Sequence, residues 1–473
     1  MGRYNRAEQY QKALAAASRV KGNAHYEGPF KGKMNILMLT NTYLPHVGGV
    51  ARSVESFARE YRRHKHRVLV VAPEFPDSPA DESDVVRVPA IQNFNGSDFS
   101  VRLPVPGYLE SALHDFQPDL VHSHHPFLLG DTALRIASGH NVPLVFQHHT
   151  MYERYTHYVP GDSPAMKRFV VNLSTQYANL CDQVLAPSES VAEVLLGRGV
   201  VTPIEVLPTG VDVNRFTAGD GQRIRRELDI PEEAFIVGHV GRLAPEKNLE
   251  FLGESVARFL QEEQAAHFLV VGTGPSEDQI RQIFTQRGLA DRLHLPGSQS
   301  GRDLVDAYHA MDVFAFASHS ETQGMVLSEA MATGCPVVGL DASGVREVID
   351  DGENGRLLDD QDENQFAEAL QWVFRLSSMD YRDLCEAANV TAEKYSMSAC
   401  TEKALGIYQS VLDSFGGTKL EKNDWEVAWK SALRRIEAEW DLLTTRAHAA
   451  KKAMFEGPSL WQRVKMRLRG LRV

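Results

Sequence analysis

Residues 313–334 read Val-Phe-Ala-Phe-Ala-Ser-His-Ser-Glu-Thr-Gln-Gly-Met-Val-Leu-Ser-Glu-Ala-Met-Ala-Thr-Gly. The apolar run at 313–317 has the length and composition of a buried parallel strand, and residues 324–333 continue at helical spacing. Glu321 therefore falls in the loop at the carboxyl end of the strand, and Glu329, eight residues on, lies one to two turns into the helix. Open parallel sheets bind ligands in the crevice outside those strand ends. Two carboxylates at one crevice, beside a positive helix terminus, suit a hydroxyl-rich ligand such as a ribose or a hexose. Glutamates at this separation also occur on ordinary helices, so spacing alone leaves a purely structural reading open.

The alternation of apolar strand and amphipathic helix extends to about residue 395. Runs at 35–40, 68–72, 120–123, 144–147 and 183–186 predict strands of a first unit. Runs at 235–240, 268–272, 293–296, 313–317 and 337–339 predict those of a second. Strands separated by helices imply right-handed parallel crossovers, hence an α/β fold of two Rossmann-like, doubly wound domains facing across a cleft. Turn formers in Pro208-Thr209-Gly210-Val211-Asp212 mark the join. The expected organisation is an N-terminal extension (1–33), a first domain (34–211), a second domain (212–395), a crossover helix (396–415) and a helical extension (416–473).

Composition narrows the function classes. A chain of 473 residues is too long for one core and long enough for two domains with extensions. Fifty basic against 62 acidic residues give a formal net charge of -12, which argues against a general nucleic-acid binder. Cys181, Cys335, Cys385 and Cys400 show neither Cys-x-x-Cys spacing nor a disulfide ladder, so a reduced cytoplasmic setting is expected. No uncharged run reaches the roughly 18 residues that a membrane span needs. The first 33 residues lack an apolar signal core, and Arg6 stands where N-myristoylation needs Ser or Thr. Membrane contact is therefore expected to be peripheral.

The strand at 235–240 runs into Gly241-Arg242-Leu243-Ala244-Pro245-Glu246-Lys247-Asn248, with Pro245 placed to open a helix. A diphosphate there would meet backbone N–H groups, the helix dipole, the planar fork of Arg242 and the ammonium of Lys247. On spacing alone the segment is equally a solvated loop with two ordinary cations. Val270-Val271-Gly272-Thr273-Gly274-Pro275-Ser276-Glu277 fails as a dinucleotide fingerprint, because Glu277 stands at the third glycine. Asp360-Gln361-Asp362 mimics a metal motif but lies in a polar loop and reads as solvated surface, and no metal or cofactor is expected. In the first unit Gly48-Gly49 lets backbone approach a bound group. Two histidine clusters end neighbouring strands, His122-Ser123-His124-His125 and His148-His149-Thr150. Zinc ligation and plain structural histidines both stay open for them.

The 318–334 stretch resembles the paired-glutamate signature of retaining glycosyltransferases of family 4, and the resemblance extends over roughly residues 34–412. It implies that Glu321 lies against the donor sugar and that Glu329 holds the nucleotide ribose. Gln323, Gly324, Met325 and Val326 between them would line the nucleotide sugar. It also implies that Arg242 and Lys247 bind the donor diphosphate, that Gly49, Gly272 and Gly274 line the donor pocket, and that His124 reaches the hexose. The Glu-Thr-Gln-Gly version, together with residues 147–158, is most similar to the diacylglycerol glucosyltransferases of the family. That places His149 and Tyr152 in an acceptor pocket.

The expected activity is thus transfer of a hexose, with glucose from UDP-glucose the favoured donor, to a lipid acceptor such as diacylglycerol at the cytosolic membrane face. Stereochemical retention is implied by the resemblance. The same chemistry on a soluble sugar or polyol, and a catalytically silent nucleotide-sugar sensor, are the alternatives. Leu460, Trp461, Val464, Leu468 and Leu471 share a narrow helical arc flanked by Arg463, Lys465, Arg467, Arg469 and Arg472, a pattern suited to anionic lipid. A disordered tail or internal packing suits it as well. The apolar stripe Trp425, Trp429, Leu433, Ile436, Trp440 and Leu443 gives a helix over 424–455 that either packs on the body or binds a partner.

Overall fold

The computed structural model describes residues 32–415, apart from 46–47, 76, 80–81, 92–100, 103–108, 155–162 and 320. The N-terminal extension up to residue 31, residues 155–158 of the 147–158 segment, the helix expected at 424–455 and the basic stripe from Leu460 to Arg472 lie outside the described residues.

The strands in chain order are β1 Asn35–Leu39, β2 Arg67–Pro73, β3 Val85–Val88, β4 Ala90–Ile91, β5 Val101–Arg102, β6 Leu120–Ser123, β7 Leu144–Gln147, β8 Gln183–Ala186 and β9 Ile204–Val206, followed by β10 Phe235–Val240, β11 Ala266–Val271, β12 Leu293–Gly297, β13 Val313–Phe316, β14 Val337–Leu340 and β15 Gly355–Leu358. Seven of them form a first sheet in the order β3-β2-β1-β6-β7-β8-β9, and six form a second in the order β12-β11-β10-β13-β14-β15. Every pairing within both sheets is parallel. Strands β4 and β5 make a separate antiparallel ribbon. The molecule consists of two Rossmann-like domains, each an open parallel sheet with helices packed on both faces.

The central strands are apolar throughout because both faces are covered. Ile36, Leu37, Met38 and Leu39 of β1 and all four residues of β13 are buried. Burial of each large side chain contributes about 1.5–3 kcal/mol. Strands β3, β9 and β15, unmarked in the sequence reading, are short outer strands with half-buried positions, so their apolar signal is weak.

The two sheets are joined twice. Val211 donates its N–H to the Tyr395 carbonyl at 2.8 Å and its own carbonyl accepts from the Met397 N–H at 2.7 Å, so the outgoing and returning crossings lie side by side. A side chain at Gly210 would place its Cβ 2.4 Å from the Met397 Cα, so this contact requires glycine. Beyond the crossing, helix Met397–Phe415 packs on the first domain, where Leu405, Ile407 and Tyr408 share a core with Ile36, Val54, Phe57 and Tyr61. On helix Gly49–Arg63, Val54, Phe57, Ala58 and Tyr61 recur at helical spacing and supply the partner face.

Candidate functional site

In each sheet the strand order reverses beside the first strand of its domain, between β1 and β6 and between β10 and β13. The loops leaving the carboxyl ends of strands that flank such a point diverge and leave a crevice. Four of the segments singled out in the sequence are the loops at these two points. Gly48–Gly49 follows β1 and His124 follows β6, while Arg242–Lys247 follows β10 and Glu321 follows β13.

In the second domain the Lys247 ammonium is bonded directly to the Glu321 carboxylate. Lys247 also sits 5.8 Å from the centre of the Phe316 ring, which limits where its stem can swing. Arg242 is half-exposed and paired with Glu246. The Glu246 carbonyl accepts from the His319 N–H and the Ser318 hydroxyl, both at 3.3 Å, so the cationic and acidic loops are tied together by backbone. Pro245 opens only one 3-10 turn, Pro245–Lys247, and the α-helix starts at Leu249. The sequence expectation of a helix from Pro245 is corrected on this point. Asn248, at φ 54, breaks the turn from the helix.

Gly272 and Gly274 seat this loop. The Gly241 N–H donates to the Val271 carbonyl and the Leu243 N–H to the Thr273 carbonyl, each at 3.0 Å. A Cβ on Gly272, at φ +146, would lie 1.9 Å from the Gly241 oxygen, and one on Gly274, at φ +155, would lie 2.3 Å from the Leu243 oxygen. Both glycines thus act through the backbone of the Arg242 loop.

Glu329 lies in helix Met325–Met331, which Gly324 starts from a left-handed conformation at φ 72; Met325 and Val326 form its first turn. The carboxylate is buried, accepts the Tyr308 hydroxyl at 2.8 Å and has Arg52 of the first domain 3.9 Å away. Burial raises its pKa above the ordinary glutamate value, against the opposing Tyr308 hydrogen bond and the Arg52 charge. Gln323 is turned elsewhere. Its Oε1 accepts the Thr209 N–H and its Nε2 donates to the Thr209 carbonyl, both at 2.6 Å.

In the first domain His124 Nδ1 and His149 Nε2 share a hydrogen bond of 2.9 Å, with their rings stacked at 5.2 Å. The His122 ring lies 4.0 Å from that of His124, and His122 Nδ1 pairs with the Tyr408 hydroxyl at 2.7 Å. His124 Nε2 is buried without a partner. Burial, then neighbouring histidines, holds His124 and His149 well below the ordinary imidazole range, and burial brings His122 and His125 down to about 3. Both rings at the crevice are therefore neutral. Among the described residues no group of three or more His, Cys, Asp or Glu is arranged to hold a metal. Asp362 of the Asp-x-Asp motif instead caps helix Glu363–Phe374, accepting from the Asn364 and Gln365 N–H groups.

Tyr152 lies in the 3-10 helix Tyr152–Arg154, edge-on to Phe127 at 5.1 Å and His148 at 5.9 Å, with its hydroxyl buried and unpartnered. The neighbouring loops reach the second domain. Thr322 Oγ1 donates to the His149 carbonyl at 3.1 Å, Ser188 Oγ to the Thr322 carbonyl at 2.8 Å, and Arg154 to the His319 carbonyl. Gly49 begins helix Gly49–Arg63, and a Cβ there would meet nothing within 4 Å, so space is open before it. The structure thus brings Arg242, Lys247 and Glu321 to one strand-end crevice. Across the domain boundary, Arg52 faces Glu329, and the backbone of His149 meets Thr322. The sequence reading missed Arg52, Tyr308, Ser188 and Thr209. Arg52 alone carried a trace, one helical turn after Gly49.

Cations beside carboxylates at one strand-end crevice suit an enzyme that transfers a glycosyl group from an activated donor. Residues 47–215 match the model described as Glycosyltransferase Family 4, and residues 220–390 match that described as Glycosyl transferases group 1. The GDP-mannose-dependent alpha-mannosyltransferase of Mycobacterium tuberculosis is 31% identical over 335 residues, 69% of this chain and 84% of the relative. The alpha-monoglucosyldiacylglycerol synthase of Acholeplasma laidlawii is 26% identical over 347 residues, 70% of this chain and 86% of the relative. The structure of HepE from Anabaena in complex with UDP superimposes with a TM-score of 0.64 at 20% identity, over 80% of this chain and all of HepE. The chain belongs to glycosyltransferase family 4.

Proposed function

We propose that this glycosyltransferase moves a hexose, with retention of configuration, from a nucleoside diphosphate sugar, UDP-glucose being the favoured donor, to a lipid acceptor of the diacylglycerol class. The observation that carries the donor half is the meeting of Lys247 and Glu321 at the switch point between β10 and β13, with Arg242 on the same loop. A diphosphate entering there displaces Glu246 and Glu321 from their cations. Each charge-assisted hydrogen bond gained is worth about 1.5–3 kcal/mol. The hold tightens as negative charge develops on the departing diphosphate, so Arg242 and Lys247 lower the barrier electrostatically. Freed from Lys247, Glu321 accepts hydroxyls of the hexose, His124 approaches it from the other domain through the unpartnered Nε2, and Glu329 accepts the ribose hydroxyls. The acceptor hydroxyl then attacks the anomeric carbon from the leaving-group side as the bond from that carbon to the diphosphate oxygen breaks, and its proton passes to the departing diphosphate. No metal or cofactor enters this scheme.

The lipid half is supported by the Glu321-Thr322-Gln323-Gly324 sequence, by His149 and Tyr152 beside the crevice, and by the glucosyldiacylglycerol synthase among the relatives. Peripheral contact with an anionic membrane from the cytoplasmic side follows from that acceptor. A second reading, a soluble phosphorylated polyol as acceptor, is favoured by relatives described as D-inositol 3-phosphate glycosyltransferase, among them that of Stackebrandtia nassauensis, 32% identical over 302 residues. Radiolabelled UDP-glucose and GDP-mannose, each offered with diacylglycerol in anionic vesicles and with inositol phosphate, decide between them. Labelled glucolipid with an α linkage is the expected product. Label in the aqueous fraction alone, or transfer only from GDP-mannose, overturns the lipid or the donor assignment respectively.

A further inference from the structure

We infer that Gln323 is a positioning residue that locks the acidic loop of the second domain to the interdomain linker, and through it to the donor-side helix of the first. The inference rests on reading Glu321 as part of the transfer site. Gln323 is buried, and both polar ends of its amide are spent on one backbone unit, the N–H and the carbonyl of Thr209, each at 2.6 Å. An amide is the side chain that can meet such a pair, because it presents one acceptor and one donor side by side. Glutamate presents only acceptors and methionine offers no N–H.

The chain of contacts continues. The hydroxyl of Thr209, also buried, is 2.7 Å from that of Ser53 on helix Gly49–Arg63, the helix that begins with Gly49 and presents Arg52 to Glu329. Thr209 precedes Gly210, where the two crossings touch. Ser53, Thr209 and Gln323 therefore run from helix Gly49–Arg63 of the first domain, through the interdomain linker, to the residue two places after Glu321. On its other side the loop is backed by Gly344, where a Cβ would fall 2.6 Å from the Gln323 nitrogen. With Gly344 behind it and Thr209 in front, the 321–324 segment has one seat, and that seat is defined by the linker. The placement of Glu321 relative to the first domain is thereby tied to the linker at Thr209. Misplacement of reacting groups by about 1 Å costs on the order of a hundredfold in rate.

The test combines a distance and a rate. Spin labels at the exposed positions Val201→Cys and Met379→Cys, one per domain, in a Cys385→Ser background, report the interdomain distance of the full chain without any substrate. A single narrow distribution is expected with Gln323 and a broadened one with Gln323→Met. In parallel, Gln323→Met and Gln323→Glu are expected to lower kcat at least tenfold with UDP-glucose, leaving UDP affinity by calorimetry within about twofold of wild type. Ser53→Ala is expected to add little further loss to Gln323→Met, since both act through Thr209. An unchanged distance distribution overturns the inference, as does a loss carried by UDP affinity, which would make Gln323 a donor contact. Failure of the transfer-site reading shows differently, as wild-type protein with a narrow distribution and no heat on UDP addition.

Discussion

At the scale of single residues, the charges at the crevice are held as ion pairs with one another. Lys247 pairs with Glu321 and Arg242 with Glu246, and the proposed mechanism has a donor exchange these partners. Lys247→Ala removes the cation proposed to meet the leaving diphosphate, and kcat is expected to fall by about 10²–10³, the size of effect seen when one oriented transition-state donor is lost. Steady-state UDP release measures it, and a loss under threefold contradicts the role. Glu329 offers a test through pH. Its carboxyl is raised by burial, so the folded state holds that proton more tightly than the unfolded chain does, and stability is lost as pH rises from the ordinary glutamate value toward the raised one. Glu329→Gln removes that loss. The variant is expected to melt about 2 °C above wild type at pH 7 and level with it at pH 4, while binding UDP roughly tenfold more weakly. A variant less stable at pH 7 contradicts the assignment.

At the scale of elements, the strand-end loops hold the chemistry and glycines hold the loops. Gly272→Ala would drive a Cβ into the Gly241 carbonyl from a backbone angle that L residues avoid. Its expected cost is about 1–3 kcal/mol from strain alone, with weaker UDP binding because the Arg242 loop is displaced. Thermal melting and calorimetry read the two effects, and unchanged values for both contradict the seating role. The histidine-bearing loops make a second prediction. His122, His124, His125, His148, His149 and His239 are all pushed below the ordinary imidazole range, chiefly by burial. The unfolded chain takes up protons on them as pH falls through about 6.5 while the folded chain does not, so stability drops below that pH by up to about 1.4 kcal/mol per unit for each group. Urea midpoints at pH 7.5 and 5.5 are expected to differ markedly. Equal midpoints contradict the burial of these rings.

Much at this scale was legible in the sequence. Strands buried on both faces are continuous apolar runs, so β1, β6, β7, β8, β10 and β13 were readable to within a residue. Outer strands β3, β9 and β15 were not, since one side of each borders solvent and the apolar run breaks. Arg242, Lys247, Glu321 and Glu329 were legible through local motif. Tyr308 and Arg52 were not, because their role exists only through contacts with Glu329 across 21 residues and across the domain boundary. Gln323 shows the limit best, since its position in the motif pointed to the donor, whereas its amide faces Thr209, 114 residues earlier.

At the scale of the whole molecule, function depends on two Rossmann-like domains meeting at their strand ends, with helix Met397–Phe415 returning to complete the core of the first. Tyr408 on that helix hydrogen-bonds His122, whose ring lies tilted against that of His124, which links the returning helix to the crevice. The membrane side of the account is tested by removing residues 459–473. Vesicle flotation is expected to show loss of binding to anionic but not to neutral lipid, and unaltered binding contradicts a role for the basic stripe. The most direct test of the central claim, a cationic cradle for the donor diphosphate flanked by sugar-orienting carboxylates, is calorimetric titration of UDP-glucose and GDP-mannose into wild type and the Arg242→Ala/Lys247→Ala double variant. Heat with at least one donor in wild type, lost in the double variant, is the predicted result; no heat with either donor, or equal affinity in both proteins, would contradict it.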